Sequence, residues 1–222
     1  MISVPFDINE LFKELPEPFA SLLKPTVLTA LQNLRYKVEE LVKKVKNDPD
    51  YVEVRPGILI NKSALVAPSA LIEPPAVIMA DTEIRHCAYL RSCVVVGRGC
   101  VIGNSCEIKN SLIMDSAEIP HFNYVGDSVI GVGAHLGGGA IISNLKQDKR
   151  HVPIRIGGCT VDTGMRKLGA LVGDRAEIGA GAVLNPGSVI GAEARVYPLC
   201  SVRGFVPSKH IYKGNNIIVP IE

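Results

Sequence analysis

Tryptophan is missing from this 222-residue chain, and aromatic residues supply only 5% of it. With a hydrophobic fraction of 47% and a mean hydropathy of +0.23, an extensive core is implied. Val, Ile, Leu and Ala must fill it. The six cysteines, Cys87, Cys93, Cys100, Cys106, Cys159 and Cys200, form no Cys-x-x-Cys pair and no Cys-x-x-Cys/His-x-His set. Zinc is therefore not expected, and the thiols read as small core residues kept reduced. No run approaches the roughly 18 apolar residues of a membrane span. A net charge of +2 gives no general attraction for nucleic acid. The start, MISVPFDINELFKEL, lacks a basic segment followed by an apolar one, so no leader peptide is read and a cytoplasmic location is expected.

Residues 1–55 differ in pattern from the rest and read as a helical extension. Ile8, Leu11, Phe12 and Leu15 suggest a short helix ended by prolines 16 and 18. Val27, Leu31, Leu34, Val38, Leu41 and Val45 then recur at three- and four-residue steps, predicting one helix from about 25 to 46. Pro25 suits its first turn, and Glu39/Lys43 and Glu40/Lys44 pair along its wet side. Such a helix could close the open first rung of a repeat scaffold, the preferred reading, or pack against a partner chain.

From Val66 the period becomes six: VAPSAL, IEPPAV, IMADTE, IRHCAY, LRSCVV, VGRGCV, IGNSCE and IKNSLI follow without a gap to Ile113. The beat returns in IGVGAH and LGGGAI at 130–141, and in VGDRAE through VYPLCS at 172–201. Repeats of fixed period outrank local propensity. The reading is a three-sided coil of 18 residues per turn, with an aliphatic at the first hexad position pointing inward. The fifth residue, near a corner, must be small: Ala70, Ala76, Ala88, Cys100, Cys106, Ala134, Ala182, Ala194 and Cys200. Hexads of this type resemble the left-handed parallel β-helix, so the fold class is all-β with an α-helical extension. The β-helix is assigned to 56–204 and a tail to 205–222, and the stretch from Val66 to Val202 is expected to make seven coils.

Residues 18 apart should stack, which aligns Glu73, Arg91 and Lys109 in one charged column. Two interruptions follow. Met114 to Ile130 is two residues short of a coil, and Ile142 to Val172 is twelve too long for one. His121 and Tyr124 lie in the short coil. The long one extrudes a loop near 144–168 carrying Lys146, Lys149, Arg150, His151, Arg155, Arg166 and Lys167 against Asp148 and Asp162. That balance suits an anion such as a phosphate. The GGGA at 137–140 has no following Lys-Ser/Thr, so it is not a nucleotide-binding P-loop; GDS at 126–128 lacks the second glycine of a nucleophile elbow. A histidine taking a proton near neutral pH is the chemistry on offer.

EIKNS (107–111), HFNYVGDS (121–128), the glycine run at 137–139 and SN at 143–144 resemble the acetyltransferase domain of bacterial bifunctional enzymes. Those enzymes pair glucosamine-1-phosphate N-acetyltransferase with N-acetylglucosamine-1-phosphate uridylyltransferase. TGMRKLGALVGD (163–174) is similar to archaeal-type sugar-1-phosphate nucleotidylyltransferases carrying the same β-helix. The resemblance implies His121 as the general base for a sugar amine, with Tyr124 and the pair Arg91 and Lys109 on the sugar phosphate. It adds Asn144, Arg150 and His135 to the substrate site, and Gly138 and Arg203 to the acetyl-CoA site. His135 stands where the family commonly has Asn, and Gly137-Gly138-Gly139-Ala140 replaces its Gly-Ala-Gly-Thr.

Residues 1–55 are too short for the nucleotidylyltransferase half and hold no glycine-rich nucleotide loop, so no sugar nucleotide is expected from this stretch. The function expected is acetyl-CoA-dependent N-acetylation of an amino-sugar 1-phosphate by a homotrimer, with no metal needed for the transfer. The alternatives are a non-catalytic β-helix that binds sugar phosphate or sugar nucleotide, or that assembles with a separate nucleotidyltransferase. A zinc carbonic anhydrase built on His86, His121 and His135 lacks the close histidine pair expected of one.

Overall fold

The computed structural model describes residues 8–222; residues 1–7, the beginning of the stretch read for a leader, lie outside it. Short parallel strands stack into three faces, giving the left-handed parallel β-helix that the hexads predict. The first face runs from Leu65–Val66 to His210–Tyr212, and the second from Leu71–Ile72 to Ser201–Val202. The third runs from Ile58–Asn61 to Phe205–Val206. Ile72, Ile78, Ile84, Leu90, Val96, Ile102 and Ile108 point inward with the small residues Ala76, Ala88, Cys100, Cys106, Ala134, Ala182, Ala194 and Cys200, all in one buried cluster. Each large aliphatic so buried contributes about 1.5–3 kcal/mol, which lets the prism dispense with aromatics.

The interruptions differ from the expected arithmetic. Ile130 stacks on Ile113, not Met114, and Met114 faces the outer layer. The deficit of two residues is split between successive coils: Tyr124 pairs with Glu107 and with Ile141, each 17 residues away. In both coils the missing residue is at the corner after the second face, at Asn110 and then Asp127. The insertion is larger than read, because Ile130 pairs with Val172, 42 residues on, 24 more than a regular 18-residue coil. Val66 and Val202 are consequently six coils and one face apart, rather than seven coils.

The third face is apolar on both sides. Runs such as CVVV (93–96) and SLIM (111–114) read as doubly buried strands. Their outward residues, Leu59, Val77, Val95, Leu112, Val129, Leu171 and Val189, form a second core with Phe12, Phe19, Leu28, Leu31, Leu34 and Val38. The long helix therefore lies along this face and not over the first rung; the antiparallel strand Tyr51–Arg55 pairs with the first strand of this face, Ile58–Asn61. It is also two helices, Val27–Gln32 and Leu34–Val45, and the first is capped by Thr26, whose Oγ1 accepts from Thr29 N at 3.2 Å. Asn33 divides them, its side chain donating to Thr29 O at 2.9 Å in competition with the helical pattern.

The insertion folds as a hairpin, Pro153–Ile156 against Cys159–Asp162, and Val152, Ile154, Ile156 and Leu168 join the second core. The chain after residue 204 is not a tail. Phe205–Val206 and His210–Tyr212 add to the third and first faces, and Ile218–Pro220 pairs antiparallel with His210–Tyr212. No helix among the described residues is long and apolar enough to cross a membrane.

Asp174 fastens the N-terminal segment to the third face. Its carboxylate accepts from Glu14 N and Val132 N, each at 2.9 Å, and its own N–H donates to Leu11 O at 2.9 Å. Burial pushes its pKa up to about 6 despite those donors. The folded pKa thus exceeds the unfolded value of about 3.9, so the contribution to stability is full below about pH 4 and is lost as pH rises through 6. Urea midpoints at pH 4–7 should show the wild type gaining on Asp174→Asn as pH falls through this window, with a flatter profile for the variant.

Candidate functional site

The charged column exists and is longer than the sequence suggested. Arg91 stacks on Lys109 and Lys109 on Gly126. The register carries Glu73 above them, and Ser143, Asn185 and Arg203 below. All seven occupy the outer end of the second face. The bonds of Glu73 and Arg91, however, cross to the neighbouring column. Glu73 accepts from Tyr89 Oη at 2.7 Å, and Arg91 Nη1 donates to Glu107 Oε1 at 2.6 Å. The Arg91 guanidinium lies 5.8 Å from the Tyr89 ring centroid.

The shortened corners set the centre of the site. Asp127, nearly buried, accepts from Asn110 Nδ2 at 2.8 Å on Oδ1 and from Asn144 Nδ2 on Oδ2, and Lys109 Nζ stands 3.6 Å from the same Oδ2. Asn144 Nδ2 also donates to Tyr124 Oη at 3.1 Å. Gly126 makes this convergence possible, since a Cβ there would meet Asn144 Nδ2 at 2.5 Å and Tyr124 Oη at 2.6 Å. Burial first, then the Asp127 and Glu107 carboxylates, raises the Tyr124 pKa, so at neutral pH it is a phenol able to donate.

His121 stands at the opposite edge of this face, on the corner after Glu118–His121. Buried Asn123 fixes that corner: its Oδ1 accepts from His121 N at 3.0 Å, and its Nδ2 donates to Gly137 O at 2.8 Å and Ala140 O at 3.2 Å. Gly139 N donates to His121 O at 2.9 Å, which places Gly138 one rung below the histidine. The His121 ring is exposed and has no hydrogen bond or ion pair among the described residues. The Gly138 N–H likewise has no backbone acceptor among them.

Lys109, Tyr124 and Asn144 are thus brought together, with Arg91 one rung away and His121 across the width of the strand. His135 is not gathered with them. It projects from the first face, next to Glu118, and its Nδ1 lies 3.0 Å from Glu177 Oε2. Arg150 is on the inserted loop, in a depression shared with Lys146, Lys149, His151, Asp162 and Arg166. Arg203 ends the charged column, Nη2 donating to Asn185 Oδ1 at 3.3 Å, and borders a separate depression with Ser143, Lys146 and Asp148. His86 and His121 share one corner with Asn104 between them, and His135 is not beside them. Among the described residues no three His, Cys, Asp or Glu side chains group as metal ligands. Glu107, Asn123 and Asp127 were missed from the sequence; the five-residue step from Val125 to Ile130 was the available signal for the Asp127 corner.

Residues 93–164 match the family model described as the GMPPB C-terminal domain. The chain is 43% identical over 88 residues to a bifunctional sugar-1-phosphate nucleotidylyltransferase/acetyltransferase of Sulfurisphaera tokodaii, covering 40% of this chain and 22% of that one. It is 33% identical over 109 residues to the bifunctional protein GlmU of Methanocaldococcus jannaschii, covering 49% and 26%. The matches thus span about a quarter of the length of these curated relatives. A hexapeptide transferase family protein from Anaplasma phagocytophilum has a similar structure, with 16% identity, 75% and 81% coverage and a TM-score of 0.42. The repeat region is homologous to the hexapeptide-repeat part of the sugar-1-phosphate nucleotidylyltransferase/acetyltransferases.

Replacing Asp127 with Ala removes the common acceptor of two amides and the partner of Lys109. The expected cost is about 2–3 kcal/mol, read from urea midpoints; a loss near zero would remove Asp127 from the centre of this arrangement.

Proposed function

We propose that this chain is an acetyl-CoA-dependent N-acetyltransferase acting on an amino-sugar 1-phosphate. The observation that carries the reading is the exposed, unpartnered His121 ring above the Gly138 N–H, across one strand from Lys109, Tyr124 and Asn144. His121 takes a proton from the substrate amine as the nitrogen attacks the thioester carbonyl. The Gly138 N–H donates to the oxygen that becomes negative in the tetrahedral intermediate. Collapse breaks the C–S bond, leaves the acetyl group on nitrogen and releases CoA thiol, with His121 returning the proton.

Arg91 and Lys109 hold the sugar phosphate, assisted by Tyr124, Asn144 and Arg150, and Arg203 meets a CoA phosphate. A homotrimer would set each second face beside a neighbouring chain. The relatives include proteins named as acetyltransferases, which supports the reaction class. A second reading, sugar-phosphate or sugar-nucleotide binding without turnover, is favoured by one observation. Arg91 and Lys109 already have carboxylate partners, Glu107 and Asp127.

CoA-thiol release from acetyl-CoA, followed with glucosamine-1-phosphate, galactosamine-1-phosphate and amine-free glucose-1-phosphate, separates the two. Turnover is expected with an amino sugar only, and His121→Ala should lower kcat about 10²–10⁴-fold. Binding of both amino sugars by the folded protein without thiol release would sink the transferase reading. A second expectation is that Lys109→Ala raises KM for the sugar phosphate roughly tenfold or more. An unchanged KM would remove Lys109 from the phosphate site.

A further inference from the structure

Four of the six cysteines are buried, three of them as small inward residues; Cys87 and Cys159 are exposed. These two differ in their surroundings. Cys159 is on the inserted hairpin, and its thiol has no hydrogen-bond partner among the described residues. Cys87 sits at the corner between the first and second faces, two rungs before the His121 corner. Its Sγ is 3.2 Å from His86 Nε2, while His86 Nδ1 is 2.7 Å from Ser69 Oγ. The backbone holds this chain of groups in place. Cys87 N donates to Ser69 Oγ at 3.1 Å, and Asn104 Nδ2 donates to His86 O at 3.1 Å.

A histidine fixed through one ring nitrogen with a thiol on the other is the arrangement that turns a cysteine into a nucleophile. Neighbouring charges do not interfere. Arg85, beside His86 in sequence, is engaged by Glu83 at 2.8 Å, and the adjacent rung presents Asn104 and Ser105.

We propose that Cys87 is a modification site, a His86-activated thiol that exchanges with low-molecular-mass disulfides. With Nδ1–H donating to Ser69 Oγ, His86 Nε2 takes the thiol proton. The Cys87 thiolate attacks one sulfur of the disulfide, the S–S bond breaks, and a mixed disulfide forms on Cys87. The second sulfur leaves as a thiolate and is protonated by the imidazolium. One thiol and one disulfide enter, one thiol and one disulfide leave, and no other oxidant is consumed. This assignment is independent of the acetyl-transfer reading.

The test is reaction of the intact protein with glutathione disulfide at pH 7, each cysteine followed by peptide mass mapping. Cys159 is the internal reference. Cys87 should form its mixed disulfide roughly ten times faster than Cys159. His86→Gln should bring Cys87 down to the Cys159 rate while leaving Cys159 unchanged, and Ser69→Ala should slow it by a smaller factor. Equal rates for the two cysteines in the wild type would overturn the proposal. So would an unaltered Cys87 rate in His86→Gln. Should His86→Gln also alter Cys159, showing a disturbed fold, Ser69→Ala decides: an unslowed Cys87 there rejects the relay.

Discussion

Each coil of this prism gives its N–H and C=O groups to the coils above and below, and a parallel ladder tolerates no private change of register. A coil that loses a residue must lose it where its neighbour can follow, or the ladder opens on three faces. Asn110 and Asp127 are the outcome of that constraint: the residue missing after Lys109 is missing again after Gly126, one rung on. The two shortened corners stack, and their side chains bond to each other at 2.8 Å. Ser111 and Ser128 repeat the theme inside. Ser111 Oγ accepts from Ser128 N at 3.1 Å, and Ser128 Oγ accepts from Ala170 N at 3.0 Å. Polar groups therefore occupy corner positions that elsewhere hold Ala or Cys, with each donor satisfied. The polar cluster at Lys109, Tyr124 and Asn144 follows from this local shortening.

The same constraint decides where extra chain can go. An insertion must leave and return at one corner, and it does so between Ile142 and Ala170, next to the shortened ones. Having left, it does not stand in solvent. Val152, Ile154, Ile156 and Leu168 lie on the third face with the N-terminal helices, so both additions share one outer apolar layer. That layer leaves the second face, bearing the charged column, free of covering helices. At each end an antiparallel strand covers the ladder edge of one face, Tyr51–Arg55 on the third and Ile218–Pro220 on the first.

The hexad beat made the prism legible because one inward aliphatic and one small corner residue per face are strict steric demands. Columns followed from the period, so Glu73, Arg91 and Lys109 were placed together correctly. Failures arose where two layers compete for the same residue type. Ile113 and Met114 are both apolar, and only the coil below reveals that Ile113 faces inward. Val77 and Val95, aliphatics at the last position of their hexads, carried the signal for a covered third face, but a helix with one apolar stripe fits an end as well as a side. The insertion was undercounted because its return was assigned to a full coil, whereas Ile142 and Ala170 belong to consecutive faces. Asp127 was passed over because its role depends on Asn110 and Asn144, each 17 residues away.

Electrostatics then limit what the column can hold. Arg91 and Lys109 give the second face two cations in register, yet each has its own carboxylate, so the pairs are close to neutral as a group. A weakly charged ligand would gain little by displacing Glu107 or Asp127 from partly solvated pairs. A phosphate dianion gains more, because it offers several acceptors to a guanidinium fork, an ammonium, a phenol and an amide at once. Asp127 cannot withdraw easily, being tied to Asn110 and Asn144, whereas Glu107 is more exposed and can. The asymmetry makes Arg91 the adaptable end of the pair and Lys109 the fixed one. An anion seated here would be located by Lys109 and oriented by Arg91.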